Sequence, residues 1–134
     1  MANRFVPSLH TLPIELTYRI LDFLQTHDIL ISFQDVCRRF HAILHTYYRY
    51  QTFNYFRKHI LRRKLIPIIR SLYRNKTITI LTLNYNKFDS EIVYHLAVVL
   101  RINQTLTTLN IHYNRIDHES ICHFANALKI NKVI

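Results

Sequence analysis

Glycine is absent from this sequence: none of its 134 residues is one. That removes the phosphate-cradling loops, both the P-loop and the G-x-G-x-x-G fingerprint. It also leaves every turn that needs positive φ to a residue with a Cβ, and Asn and Asp are the residues expected to take those places. Cysteine is nearly as scarce. Cys37 and Cys122 stand in separate segments, so a disulfide framework is not expected and a reducing cytosol or nucleus is the natural setting. No apolar run reaches bilayer length; the longest, around Ile92–Leu100, is interrupted by Tyr94 and His95. The first residues lack the charged, apolar, small-residue order of a secretory signal.

Acidic residues are also few, eight against eighteen Lys and Arg, for a formal charge of +10. The imbalance is local. Residues 1–56 carry five basic side chains and four acidic ones, and residues 77–134 carry the same. Residues 57–76 carry eight and none: Arg57, Lys58, Arg62, Arg63, Lys64, Arg70, Arg74 and Lys76. A charge confined to a joint between near-neutral parts argues against the whole protein as a polyanion binder. It leaves those eight residues as a candidate basic patch for RNA or an anionic surface. The aromatics before it, Tyr47, Tyr48, Tyr50, Phe53, Tyr55 and Phe56, could stack on bases. They read more naturally as filler between two packed parts.

What is present is a repeat. Asn75–Ile102 and Asn103–Ile130 are each twenty-eight residues long and identical at twelve positions. Ile78, Leu81, Leu83, Asn86 and Phe88 follow the pattern L-x-x-L-x-L-x-x-N-x-L, as do Leu106, Leu109, Ile111, Asn114 and Ile116. Leu81 and Leu83 are two apart, so on a strand both point into a core. A helix should follow each strand. Val93, Leu96, Ala97 and Leu100 stand at i, i+3, i+4 and i+7, as do Ile121, Phe124, Ala125 and Leu128. Asp89 and Asp117 sit where an N-cap acceptor is wanted. Arg101 and Lys129 sit near the negative helix ends, and Asn103 and Asn131 are placed to close the helices in the left-handed conformation. Leu65, Ile68, Ile69 and Leu72 precede the first stripe by the same period, so residues 65–74 read as the helix of a capping half-repeat. Pro67 should break or kink any helix running through it from Phe53.

This stretch resembles the leucine-rich repeats of the ribonuclease-inhibitor-like class, although that class usually has glycines just after the asparagine turn. The resemblance implies parallel strands whose outward residues, Ile80, Thr82, Asn84, Thr108, Asn110 and His112, form a concave target-binding face. Asn131-Lys132-Val133-Ile134 begins a third repeat. Two full repeats fall below the usual minimum of about three. Either the cap and the N-terminal part complete the core, or the chain is a piece of a longer protein. The last strand should be a bare sheet edge.

Leu9–Leu44 reads as three short amphipathic helices. Pro13 suits a first helical turn. Leu16, Ile20, Leu21 and Leu24 form one stripe, Ile29, Leu30 and Phe33 a second, and Val36, Cys37, Phe40, Ile43 and Leu44 a third. So short a module cannot bury all that apolar surface alone. The order Leu12-Pro13, Glu15-Leu16, Ile20-Leu21, Leu24, Asp28-Ile29-Leu30 and Val36-Cys37-Arg38-Arg39-Phe40 resembles an F-box. The resemblance implies binding to the small adaptor of a cullin–RING ubiquitin ligase, with Leu12, Pro13, Leu16, Ile20, Leu24 and Val36 as candidate contacts.

The remaining polar residues show no catalytic or metal-binding pattern. His118, Cys122 and His123, with His112 nearby, have tight spacing but no fourth ligand. No nucleophile stands beside a base and an orienting acid. The sequons Asn75-Lys76-Thr77 and Asn103-Gln104-Thr105 recur because the repeat recurs, and without a signal sequence they should be unused. The sequence therefore predicts an α/β protein with no enzymatic activity, cofactor or metal. An F-box-like helical module would occupy residues 1–46, an aromatic and basic connector with a capping helix 47–74, and a short leucine-rich-repeat solenoid with parallel strands 75–134. The expected role is a substrate adaptor presenting an unknown protein target to the ligase from the cytoplasm or nucleus. The alternatives are a repeat module with no ligase link and a basic RNA or anionic-surface binder.

Overall fold

Three short helices open the chain, each with one apolar side turned inward. In the computed structural model, which describes residues 8, 11–32, 37–55 and 62–134 and omits the side chains of Arg62 and Arg63, they are α1 (Ile14–Asp22), α2 (Thr26–Ser32) and α3 (Arg38–Thr46). Leu21, Ile29, Leu30, Phe40, Ile43 and Leu44 are their buried apolar side chains. The Arg39 guanidinium donates to the carbonyl of Leu12, fixing the segment that leads into α1 against α3. Tyr18 stacks on Tyr47 at 5.5 Å. Tyr47 donates to Asp22 Oδ1 at 2.7 Å, and Arg49 donates to the same oxygen at 2.9 Å.

The rest alternates strand and helix: β1 (Thr52–Asn54), α4 (Arg62–Ser71), β2 (Ile80–Thr82), α5 (Ser90–Ile102), β3 (Thr108–Asn110) and α6 (His118–Ile130). The strands form one parallel sheet in the order β1-β2-β3. Phe53 pairs with Leu81, and Leu81 with Leu109, each a step of twenty-eight residues. β1 was not among the expected elements. Tyr50, Phe53 and Tyr55 occupy the inward places that Ile78, Leu81 and Leu83 occupy one period later, and all six are buried. The aromatic run therefore includes a strand, with rings standing where the later units have aliphatics. One apolar core continues from Leu21 in α1 to Ala127 in α6.

Two further expectations change. α4 is continuous through Pro67. Phe53 lies in β1, so no helix runs through from it, and Leu65, Ile68, Ile69 and Leu72, all buried, hold α4 against the core. In α6 only Phe124 of the expected stripe is buried, with Ser120 and Ala127 beside it, while Ile121, Ala125 and Leu128 are exposed. Their counterparts in α5, Val93, Ala97 and Leu100, are buried. α6 packs against α5, and among the described residues no helix lies beyond α6.

The turns depart most from expectation. Among the described residues, those at positive φ are Tyr85, Lys87, Tyr113 and Arg115, between 52° and 60°, and not the asparagines between them. Asn103 and Asn131 are extended, with φ near −73° and ψ above 120°, so neither takes a left-handed cap. The asparagine side chains work instead as braces. Asn103 Nδ2 donates to the carbonyls of Leu72 and Asn75, and its Oδ1 accepts from Thr105 and Leu106. Asn131 makes the same four bonds twenty-eight residues later. Asn114 Nδ2 donates to Leu83 and Ile111, and its Oδ1 accepts from the amide of Asn86. Asp89 and Asp117 cap α5 and α6 as expected, accepting from Ile92 and Ser120.

Candidate functional site

The first candidate surface is the outer side of α1. Thr17 and Leu21 face the core, and the next helical stripe, Leu16, Ile20 and Phe23 at i, i+4 and i+7, faces outward. Leu16 is 44% exposed, Ile20 37% and Phe23 90%. Pro13 and Ile14 are exposed beside them. A 90% exposed phenyl ring is an unusual thing to leave in water. Leu12 and Leu24 are half-buried, and Leu24 packs on the core. The structure therefore brings Pro13, Leu16 and Ile20 together on one exposed face and turns Leu24 partly inward. Val36 lies outside the described residues. Phe23 escaped the sequence reading, although its spacing from Leu16 and Ile20 was the available signal.

The second surface is the open face of the sheet. Ile80 pairs with Thr108 and Thr82 with Asn110. Asn110 Nδ2 reaches Thr82 Oγ1 at 3.4 Å, and the amide of His112 donates to Asn84 Oδ1 at 2.7 Å. Thr52 and Asn54 of β1 share the register and extend the same grid. Stacked rings of Tyr85 and Tyr113, 4.5 Å apart and 13° from parallel, stand at its end. No charged side chain belongs to this grid.

The described members of the basic run face different surroundings. Lys64 lines a cavity of about 390 Å³ between α2 and α4 with His27, Asp28, Ile31, Tyr55, Pro67 and Ile68. Arg70 lies 3.3 Å from His95 Nε2, and Tyr73 OH lies 3.5 Å from Nδ1. Burial and then the Arg70 charge push the His95 imidazole below its usual range, and the ring joins α4 to α5. Arg74 and Lys76 line a separate groove with Asn103 and Gln104. Arg57 and Lys58 lie outside the described residues. Among the described residues, no three His, Cys, Asp or Glu side chains come together as a metal site. The sequon asparagines Asn75 and Asn103 are buried, with their amides donating to Tyr50 OH and to backbone carbonyls.

Residues 9–52 match the F-box domain family. These residues contain α1 to α3, and the exposed stripe lies within them. F-box domains are non-catalytic interaction modules. No curated protein matches the chain. Among solved structures it is similar to Leiomodin-1 Actin-Binding Site 2 (ABS2), with a TM-score of 0.61 and 19% identity over 96% of this chain. The chain spans 60% of the length of that structure, and the likeness is one of fold. No helix among the described residues is long and apolar enough to cross a membrane.

Proposed function

We propose that this protein is a non-enzymatic substrate adaptor. Its F-box docks on the adaptor subunit of a cullin–RING ubiquitin ligase, and a short leucine-rich-repeat solenoid presents a protein target. The single observation that carries the reading is the exposed apolar stripe of α1, lying inside the segment that matches an F-box. Burying Leu16, Ile20 and Phe23 on a partner would contribute about 1.5–3 kcal/mol for each fully buried side chain. The twenty-eight-residue period, the in-register parallel strands and the likeness of fold support the repeat part. The target would meet Ile80, Thr82, Asn84, Thr108, Asn110 and His112, a neutral, hydrogen-bonding surface suited to an uncharged polar stretch of protein. Its small area suits a weak or avidity-assisted target complex.

A pull-down of the purified ligase adaptor by this protein tests the reading. Leu16→Asp with Phe23→Asp should abolish capture and leave the melting temperature within a few degrees, because both side chains are exposed in the free protein. Unchanged capture by that variant would remove the docking face. No capture by the natural sequence would leave an interaction module with no ligase link.

A further inference from the structure

The fold sorts charge to opposite edges in a way the linear sequence hides. In a parallel strand–helix array, all loops that follow helices lie along one edge, and all loops that follow strands lie along the other. The loops after β2 and β3 and the helix starts they lead to, residues 83–91 and 111–119, carry Lys87 and Arg115 with Asp89, Glu91, Asp117 and Glu119. The helix ends and following loops, 73–77, 101–105 and 129–133, carry Arg74, Lys76, Arg101, Lys129 and Lys132 with no acidic residue. All five are exposed, and none has a carboxylate within ion-pair distance among the described residues. Complementing the helix dipole accounts for Arg101 and Lys129, which lie in or near the last turns. It does not account for Arg74, Lys76 and Lys132, which lie past the helix ends.

Aliphatic side chains are set among these cations. Arg74, Ile102 and Ile130 share one position of the period. Ile102 is 57% exposed and Ile130 54%, although Ile102 has a strand–helix unit packed on either side of it. A groove of about 290 Å³ runs between the first two of these loops, lined by Arg74, Lys76, Ile102, Gln104 and Thr105. On α3, the rings of His41 and His45 meet edge to face with centroids 4.9 Å apart, and His45 lies close enough to feel the charge of Lys76.

We infer that this edge is a docking surface for an anionic lipid bilayer. Arg74, Lys76, Arg101, Lys129 and Lys132 would meet the headgroups, and Ile102 and Ile130 would enter the boundary with the acyl chains. Interleaved cations and exposed aliphatics are the chemistry of an interfacial surface. A single-stranded nucleic acid would instead call for exposed rings among the cations, and Tyr73, the one ring lining the groove, is half-buried.

The test is co-sedimentation of the full chain with phosphatidylcholine vesicles, with and without phosphatidylserine as the minority lipid. Binding should require phosphatidylserine and fall as salt rises. Arg101→Gln with Lys129→Gln should weaken it roughly thirtyfold, at about fivefold per cation. Lys87→Gln with Arg115→Gln removes the same charge from the opposite edge and should change binding less than about twofold, since surface potential decays within a Debye length. Ile102→Ser with Ile130→Ser should weaken binding about tenfold while leaving charge untouched. Circular dichroism of each variant should match that of the natural sequence. Equal binding to both vesicles, equal losses from the two charge pairs, or no effect of the isoleucine pair would each overturn the proposal. So would failure to bind either vesicle at low salt. Preferential capture of single-stranded RNA, insensitive to the isoleucine pair, would overturn it in favour of a nucleic acid.

Discussion

Asn103 shows how one side chain ties neighbouring units of this protein together. Its amide joins two backbone carbonyls of the preceding unit to two amides of its own. Asn103→Ala leaves buried backbone groups unpaired, and we expect a loss of about 3–5 kcal/mol in chemical denaturation. Asn131→Ala, whose acceptor side serves exposed amides, should lose about 1 kcal/mol. The converse holds at the turns. Lys87 and Arg115 sit at φ of 52° and 56°, where a Cβ costs on the order of 1 kcal/mol. Lys87→Gly and Arg115→Gly should each raise the calorimetric midpoint by a few degrees. The absence of glycine was plain in the sequence, yet the residues bearing the strain were not. Asn was the better candidate for positive φ, but its side chain is committed to bracing the backbone, so the φ change falls on its neighbours.

At the scale of elements, helices were more legible than strands. Asp89 and Asp117 marked the starts of α5 and α6 because a capping carboxylate leaves a local signal. β1 was hidden because Tyr50, Phe53 and Tyr55 look like loop aromatics until they are set one period before Ile78, Leu81 and Leu83. The inward side of α6 was misassigned for a different reason: in α5 both stripes are covered, and sequence similarity cannot say that the second stripe of α6 has nothing over it. For the proposed docking face, periodicity gave Leu16 and Ile20, while their outward orientation depended on Thr17 and Leu21 being the side of α1 that is buried. The link from α1 to the turn at Tyr48–Tyr50 carries a pH signature. Hydrogen bonds from Tyr47 and then Arg49 hold the Asp22 carboxyl below its ordinary 3.8. Burial, followed by the bond to Asp22, pushes the Tyr47 phenol up to about 12 from 10.0. A lowered carboxyl favours the folded state above the ordinary value, and that contribution fades as pH falls through the folded one. A raised phenol favours the folded state below 10 and loses its contribution as pH climbs towards about 12. The midpoint difference between the natural sequence and Asp22→Asn should therefore be flat at neutral pH and shrink at both extremes.

Over the whole molecule, packing passes from neighbour to neighbour: α2 on α4, α4 on α5, α5 on α6. Stability in such an array is graded rather than uniform. Hydrogen exchange should be slowest for Leu81, Leu83 and the buried turns of α5, and measurably faster in β3 and α6. Equal protection across both strand–helix units would contradict the graded core.

The asparagine braces have a mechanical consequence. Each one fastens a unit to the backbone before it, so tension along the chain would meet small catches in series, with no single lock. Pulled from its C-terminal side, the protein should yield in steps, α6 leaving before α5.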